Sequence, residues 1–181
     1  MSLSKKGTVT FSAVLLLLGT YVSGTSAAEV KITWEKPESF TDVRPSNESR
    51  KRFRERTLNE LEAHINELAS SLPEHYVLSM TVTNLDLAGQ VWPAQFVGMG
   101  NNVGNDVRLI QRVDIPRMNF TYSLNGENSK VLKEDDVKLK DMAFLESHTR
   151  RRANENLAYE KAMLDAWFND TFAEHVVKPN S

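Results

Sequence analysis

The sequence predicts an α+β domain: a mostly antiparallel sheet with two amphipathic helices packed on one face. Three observations lead there. Leu58, Leu61, Ile65, Leu68 and Leu72 recur at steps of three and four, the spacing of a single helix stripe, while Glu60, Glu62, Asn66 and Glu67 fall on the other faces. From Tyr76 to Leu85 the chain alternates strictly and is rich in β-branched residues, which reads as a central strand. Met118 to Leu124 alternates again, with Asn125-Gly126 following as a hairpin signal.

Taken in order, the N-terminus carries Lys5 and Lys6 ahead of an apolar run from Val9 to Val22. A spanning helix wants about 20 apolar residues, whereas a secretory leader wants roughly 7 to 15 behind a positive segment, with small residues at its end. Ser26, Ala27 and Ala28 fit that end. Residues 1–28 are therefore expected to be a cleaved signal peptide, with Glu29 as the mature N-terminus, a periplasmic location and no stable membrane span. The competing reading is an uncleaved anchor. Residues 29–181 then make one domain, large enough for a sizeable core.

Val30, Ile32 and Trp34 alternate with Lys31 and Thr33, a short half-buried strand. Pro37 and the segment 41–45 break regularity, so Ser46 or Asn47 is the expected cap of the first helix, which Pro73 closes. In the second strand, alternation puts Tyr76, Leu78, Met80, Val82 and Asn84 on the more apolar face and Leu85 on the other. Gly89 to Asn105 contains Gly98, Gly100 and Gly104 and reads as a long exposed loop. Strands are expected at Val107–Val113, Met118–Leu124 and Lys130–Val137, the last with room to extend to Leu139. A final helix over Asn154–Glu174 turns Leu157, Met163, Leu164, Trp167, Phe168 and Phe172 inward. The strand–helix–strand start permits a parallel crossover.

Composition excludes more than it selects. Lys and Arg number 22 against 24 Asp and Glu, a net charge of −2, and both leader lysines lie ahead of the domain. Bulk charge gives no support for nucleic-acid binding. With no cysteine there is no disulfide, thiol nucleophile, thiolate metal site or lipid-modified N-terminal cysteine. The histidines His64, His75, His148 and His175 are not paired at helical spacing, so a zinc site is unsupported, and His64, inside the first helix beside its apolar stripe, reads as a boundary residue of that stripe. No nucleophile elbow occurs. Gly98-Met99-Gly100 with Gly104 lacks the strand-to-helix context of a nucleotide loop. No cofactor is expected.

The residues also carry a resemblance. Trp34, Pro37, Phe40 and Asp42, Leu85-Asp86-Leu87-Ala88-Gly89, Asp106-Val107-Arg108, Pro116-Arg117 with Phe120 and Tyr122, Leu139 to Phe144, and Tyr159-Glu160-Lys161 before Trp167-Phe168 resemble a family of bacterial secreted proteins, domain of unknown function 3016. The resemblance spans nearly the whole chain beyond the leader. It implies export and a single domain, and supplies no activity, ligand or catalytic residue.

Three groups of residues are candidates for function. Strand-end acids Asp86, Asp106, Asp114 and Asp141 come first: if Asp86 and Asp141 converge, they suit a hard cation or a general acid and base, and otherwise each caps a turn or pairs with Arg108 or Arg117. Arg50, Lys51, Arg52, Arg54 and Arg56, with Arg150, Arg151 and Arg152, place positive charge at the starts of both helices, against the helix dipole. A bound anion explains that placement, and so does a solvated face balanced by Glu48, Glu55 and Glu60. The third is the glycine-rich segment with Trp92 and Phe96, which is either a binding surface or a satellite of the core.

The expected function is a non-catalytic binding or accessory protein of the cell envelope, facing an envelope protein or an anionic envelope component. The alternative is a small hydrolase or lyase using the strand-end aspartates. Oligomeric state is not legible.

Overall fold

The computed structural model describes residues 27–98, 106–146 and 155–177. Chain order is β1 (Glu29–Trp34), α1 (Arg50–Ala69), β2 (Val77–Asp86), β3 (Gln90–Pro93), β4 (Asp106–Leu109), β5 (Arg117–Asn125), β6 (Val131–Lys140) and α2 (Ala158–Phe172). Four strands form a mixed sheet in the order β1-β2-β5-β6, with β1 parallel to β2 and the remaining pairs antiparallel. β3 and β4 form a separate two-stranded antiparallel ribbon. The architecture is α+β, with α1 as the connection between the two parallel strands.

The core follows from the alternation. Leu78, Met80 and Val82 of β2 and Met118, Phe120, Tyr122 and Leu124 of β5 are buried and share one hydrophobic cluster with Leu58, Leu61 and Ile65 of α1 and Met163, Leu164, Trp167, Phe168 and Phe172 of α2. Trp167 packs edge-on against Phe120, Tyr122 and Phe172 at ring-centroid distances of 4.8, 5.4 and 5.5 Å. Such edge-to-face pairs add to the area buried by each ring.

Several expectations need correction, each for a local reason. Strict alternation turned Asn84 inward and Leu85 outward, but the β2–β5 register shifts between Val82 and Asn84, and Leu85 is fully buried. A bulge of this kind advances the side-chain phase by one residue. It frees the Asn84 amide oxygen to accept hydrogen bonds from the backbone N–H and hydroxyl of Thr41, both at 3.0 Å. The first helix starts at Arg50, behind Ser49, and neither Ser46 nor Asn47 caps it: the Asn47 amide donates to the Asp106 carbonyl at 3.1 Å, while the Glu48 carboxylate takes both guanidinium nitrogens of Arg56 at 2.6 and 2.9 Å.

The expected loop after Gly89 begins instead as β3, followed by a 3-10 turn over Ala94–Val97. β4 ends at Leu109, short of the expected Val113, where a turn closes with Asp114 N–H donating to the Gln111 carbonyl. Gly89, at φ +76, is forced to be glycine: a Cβ there would lie 2.5 Å from the Leu109 carbonyl oxygen. Asn125-Gly126 does begin a hairpin, but the turn is longer than two residues and runs through a 3-10 segment, Glu127–Ser129. The last helix is shorter than expected at both ends, with Leu157 at φ 56 preceding its first turn.

The aromatic cluster sets the first prediction. Trp167→Ala should lower stability by about 3 to 5 kcal/mol, the usual cost of emptying a large buried aromatic site. A denaturant midpoint equal to that of the wild type would show that Trp167 does not face the core.

Candidate functional site

The site is built where β2 leaves the main sheet. Asp86 ends β2 and forms an isolated parallel bridge with Asp42, which places two acids on neighbouring segments. Each is met by its own arginine. Arg117 lies opposite Asp86 in the β2–β5 register and donates to its Oδ2 at 2.8 Å. Arg108, on β4, donates to Asp42 Oδ2 at 2.9 Å. The same guanidinium donates to the carbonyls of Ala88 at 3.2 Å, Gly89 at 2.9 Å and Arg44 at 2.9 Å. Arg108 suits this position because its planar fork offers five donors in a fixed geometry.

The Leu87-Ala88-Gly89 turn is gripped from the other side by Glu160. This third residue of α2 is only 2% exposed, and its Oε1 accepts the Ala88 N–H at 2.7 Å. An acid in the first turn of a helix is favoured by the helix dipole. Burial acts the other way and pushes the Glu160 carboxyl above its usual range, in opposition to the Ala88 N–H and the Arg108 charge. Asp86 is also pushed up by burial, although Arg117 pulls it down.

Above this floor lies a cavity of about 300 Å³. Its walls are Phe53, Arg56, Thr57 and Glu60 of α1, Leu87 and Ala88 of the turn, Arg108 and Ile110 at the end of β4, residues 155–160 at the start of α2, and Arg44. Apolar surface from Phe53, Leu87, Ile110 and Leu157 faces a polar set whose members are mostly tied to fixed partners. Ligand sites combine these same two properties.

Of the residues singled out in the sequence, Asp86, Arg108 and Arg117 come together here, joined by Asp42. Asp141 does not join them. It lies just beyond β6, whose last residue Lys140 pairs with Arg117, and its Oδ1 accepts the backbone N–H of Ala143 at 2.8 Å. Asp106 and Asp114 enter through their backbone carbonyls, which accept from Asn47 and from Gly89 N–H. Trp92, 41% exposed, and Phe96, 71% exposed, sit on the ribbon and the turn after it, and neither lines the cavity. Arg50 and Arg52 are exposed at the start of α1 and Arg54 is half-buried. Arg150, Arg151 and Arg152 lie outside the described residues. Among the described residues no group of His, Asp and Glu is arranged to hold a metal ion, and no helix is long and apolar enough to cross a membrane.

Thr57, His64 and Glu160 are buried polar residues that the sequence did not mark as functional. Glu160 had a signal: it is an acid on the apolar stripe that continues through Met163, Leu164 and Trp167. His64 falls on the corresponding stripe of α1 and is buried, its Nε2 2.6 Å from Asp165 Oδ1 on α2. Asp42 had no local pattern to mark it.

A family model matches residues 28–170. The chain belongs to the protein family of unknown function DUF3016. No curated protein and no solved structure is significantly similar to it. The DUF3016 match covers every element described above up to the last turn of α2, so the cavity floor and all its walls lie inside the family region.

Glu160→Gln tests the floor. The amide oxygen still accepts from Ala88 and the titration is removed. A carboxyl whose folded-state pKa lies above its unfolded value stabilises the fold fully only below that unfolded value, and the contribution is lost as pH rises through the folded-state pKa. The wild type should therefore lose stability relative to E160Q as pH climbs from the ordinary glutamate value of 4.5 towards neutrality. Asp86 titrates in both proteins and its charge also raises Glu160, so the difference reports the Glu160 carboxyl together with its coupling to Asp86. Parallel stability curves for the two proteins would contradict the assignment.

Proposed function

We propose that this DUF3016 protein is exported through residues 1–28 and serves in the periplasm as a non-catalytic binding protein, with the cavity between the two helices and the ribbon as its ligand site. The observation that carries the binding reading is the cavity itself. Its volume of about 300 Å³ lies at the lower end of the range for small-ligand pockets. Its apolar walls stand over a floor whose polar groups are held by partners: Arg108 by one carboxylate and three carbonyls, and Glu160 by the Ala88 N–H.

The same commitments weigh against hydrolase or lyase chemistry on the strand-end acids. Asp86 is engaged by Arg117, and Asp141 is spent on its own turn, separated from Asp86 by the intervening β5. Those bonds and that strand order favour binding over a general acid and base pair acting on one bond. Export is supported by Lys5 and Lys6, by the length of the apolar run 9–22 and by the small residues 26–28.

Native mass spectrometry of the protein recovered from a periplasmic extract tests both halves of the proposal. The expected species is a polypeptide beginning at Glu29 with a small molecule bound. Leu157→Trp, which fills the cavity from its rim, should release that molecule with the far-UV circular dichroism unchanged. Retention of residues 1–28 in a membrane fraction would overturn export, and a bare polypeptide would overturn the ligand site.

A further inference from the structure

We infer that the cavity takes a small amphipathic carboxylate, its apolar body against Phe53, Leu87, Ile110 and Leu157 and its carboxylate on the guanidinium of Arg44. The inference rests on the cavity being a binding site and adds the class of ligand. Among the described residues three arginines line the cavity, and two of them are already spent. Arg108 is held by Asp42 and by backbone carbonyls, and Arg56 is bidentate on Glu48 at 2.6 and 2.9 Å. Arg44 differs. Its backbone carbonyl is fixed by the Arg108 guanidinium at 2.9 Å, so the root of the side chain is set in place. Yet its own guanidinium has no hydrogen-bond or ion-pair partner among the described residues. The result is an exposed cation at the rim of the pocket that no carboxylate among the described residues holds in an ion pair.

Charge on the other walls narrows the anion further. Glu60 and Glu155 also line the cavity, with Glu60 accepting from the Asn156 amide at 3.3 Å. Two carboxylates facing one free cation would repel a dianion such as a phosphate monoester, whereas a single carboxylate matches the planar fork of one arginine. The third acid, Glu160, lies at the floor, where its Oε1 is already engaged by the Ala88 N–H and burial pushes its carboxyl up. An apolar tail directed towards that floor meets Leu87, Ala88 and Ala158, all buried.

Calorimetric titration of the full mature chain with octanoate, octanol and octylamine separates head-group charge from tail, since the three share one apolar body. Octanoate should bind about fivefold more tightly than octanol, the scale of one ion pair at a partly exposed site, and octylamine more weakly than either. Arg44→Ala should bring octanoate down to the octanol value and leave octanol unchanged, because the side chain holds no partner on which the fold depends. Arg44→Lys should restore part of the difference. Octylamine binding most tightly, or an octanoate preference that survives Arg44→Ala, would overturn the carboxylate assignment and leave the cavity as a site. Failure of all three probes to bind would overturn the cavity reading itself.

Discussion

The guanidinium of Arg108 is the constraint on which the rest of the arrangement depends. A two-stranded ribbon is marginal by itself in water. β3 and β4 are such a ribbon, hydrogen-bonded to neither edge of the main sheet, and their attachment is polar: Arg108 reaches from β4 to Asp42, to the carbonyls of Ala88 and Gly89, and to Arg44 ahead of α1. Two shorter ties help, from Asn47 to the Asp106 carbonyl and from Gly89 N–H to the Asp114 carbonyl. The Arg108–Asp42 pair is mostly but not wholly shielded, with side chains 19% and 14% exposed. Its worth as a bond is therefore modest, while the cost of removing one partner and stranding the other is larger, up to about 3 kcal/mol after allowing for the remaining exposure.

From that constraint the cavity follows. The turn leaving β2 has its carbonyls taken by Arg108 and its Ala88 N–H taken by Glu160, so ribbon, sheet and α2 meet at three consecutive residues. The helices cannot close over the turn, because Glu160 holds the start of α2 at hydrogen-bond distance and Phe53 and Thr57 of α1 form the facing wall. Space is left between them. The energetic oddity of the site, a carboxyl buried at a helix start, is tolerable because the helix dipole and one backbone N–H favour its charged form while burial favours its protonated form, and either state is partly satisfied.

Much of the fold was legible in the sequence, and the rest was hidden for identifiable reasons. The Asn125-Gly126 turn signal located β6, whose side chains are nowhere fully buried, and period located β1, α1, β2, β5 and α2. It failed at Thr83, where a bulge reverses the phase so that Leu85, not Asn84, enters the core; alternation carries no record of an inserted residue. It failed again at Gln90–Pro93, where glycines on both sides masked a strand too short to show a period. At Ser46 and Asn47 the cap signals misplaced the helix start, and the Asn47 side chain is claimed by a long-range bond to the ribbon. The candidate site was half visible. Asp86, Arg108 and Arg117 stood out as charges at strand ends, and they converge. Asp42 and Arg44 gain their meaning only from a partner more than sixty positions away, which no local pattern encodes. Glu160 was readable in principle as an acid on an apolar stripe.

The central claim is that Arg108 holds the ribbon, and with it one wall of the cavity, to the body of the domain. Amide hydrogen exchange in the wild type and in Arg108→Met tests it most directly, because exchange reports the opening of individual segments. The account predicts that in R108M the amides of β3 and β4 lose their protection while those of β2 and β5 keep theirs. A ribbon that stays as protected as in the wild type would contradict it.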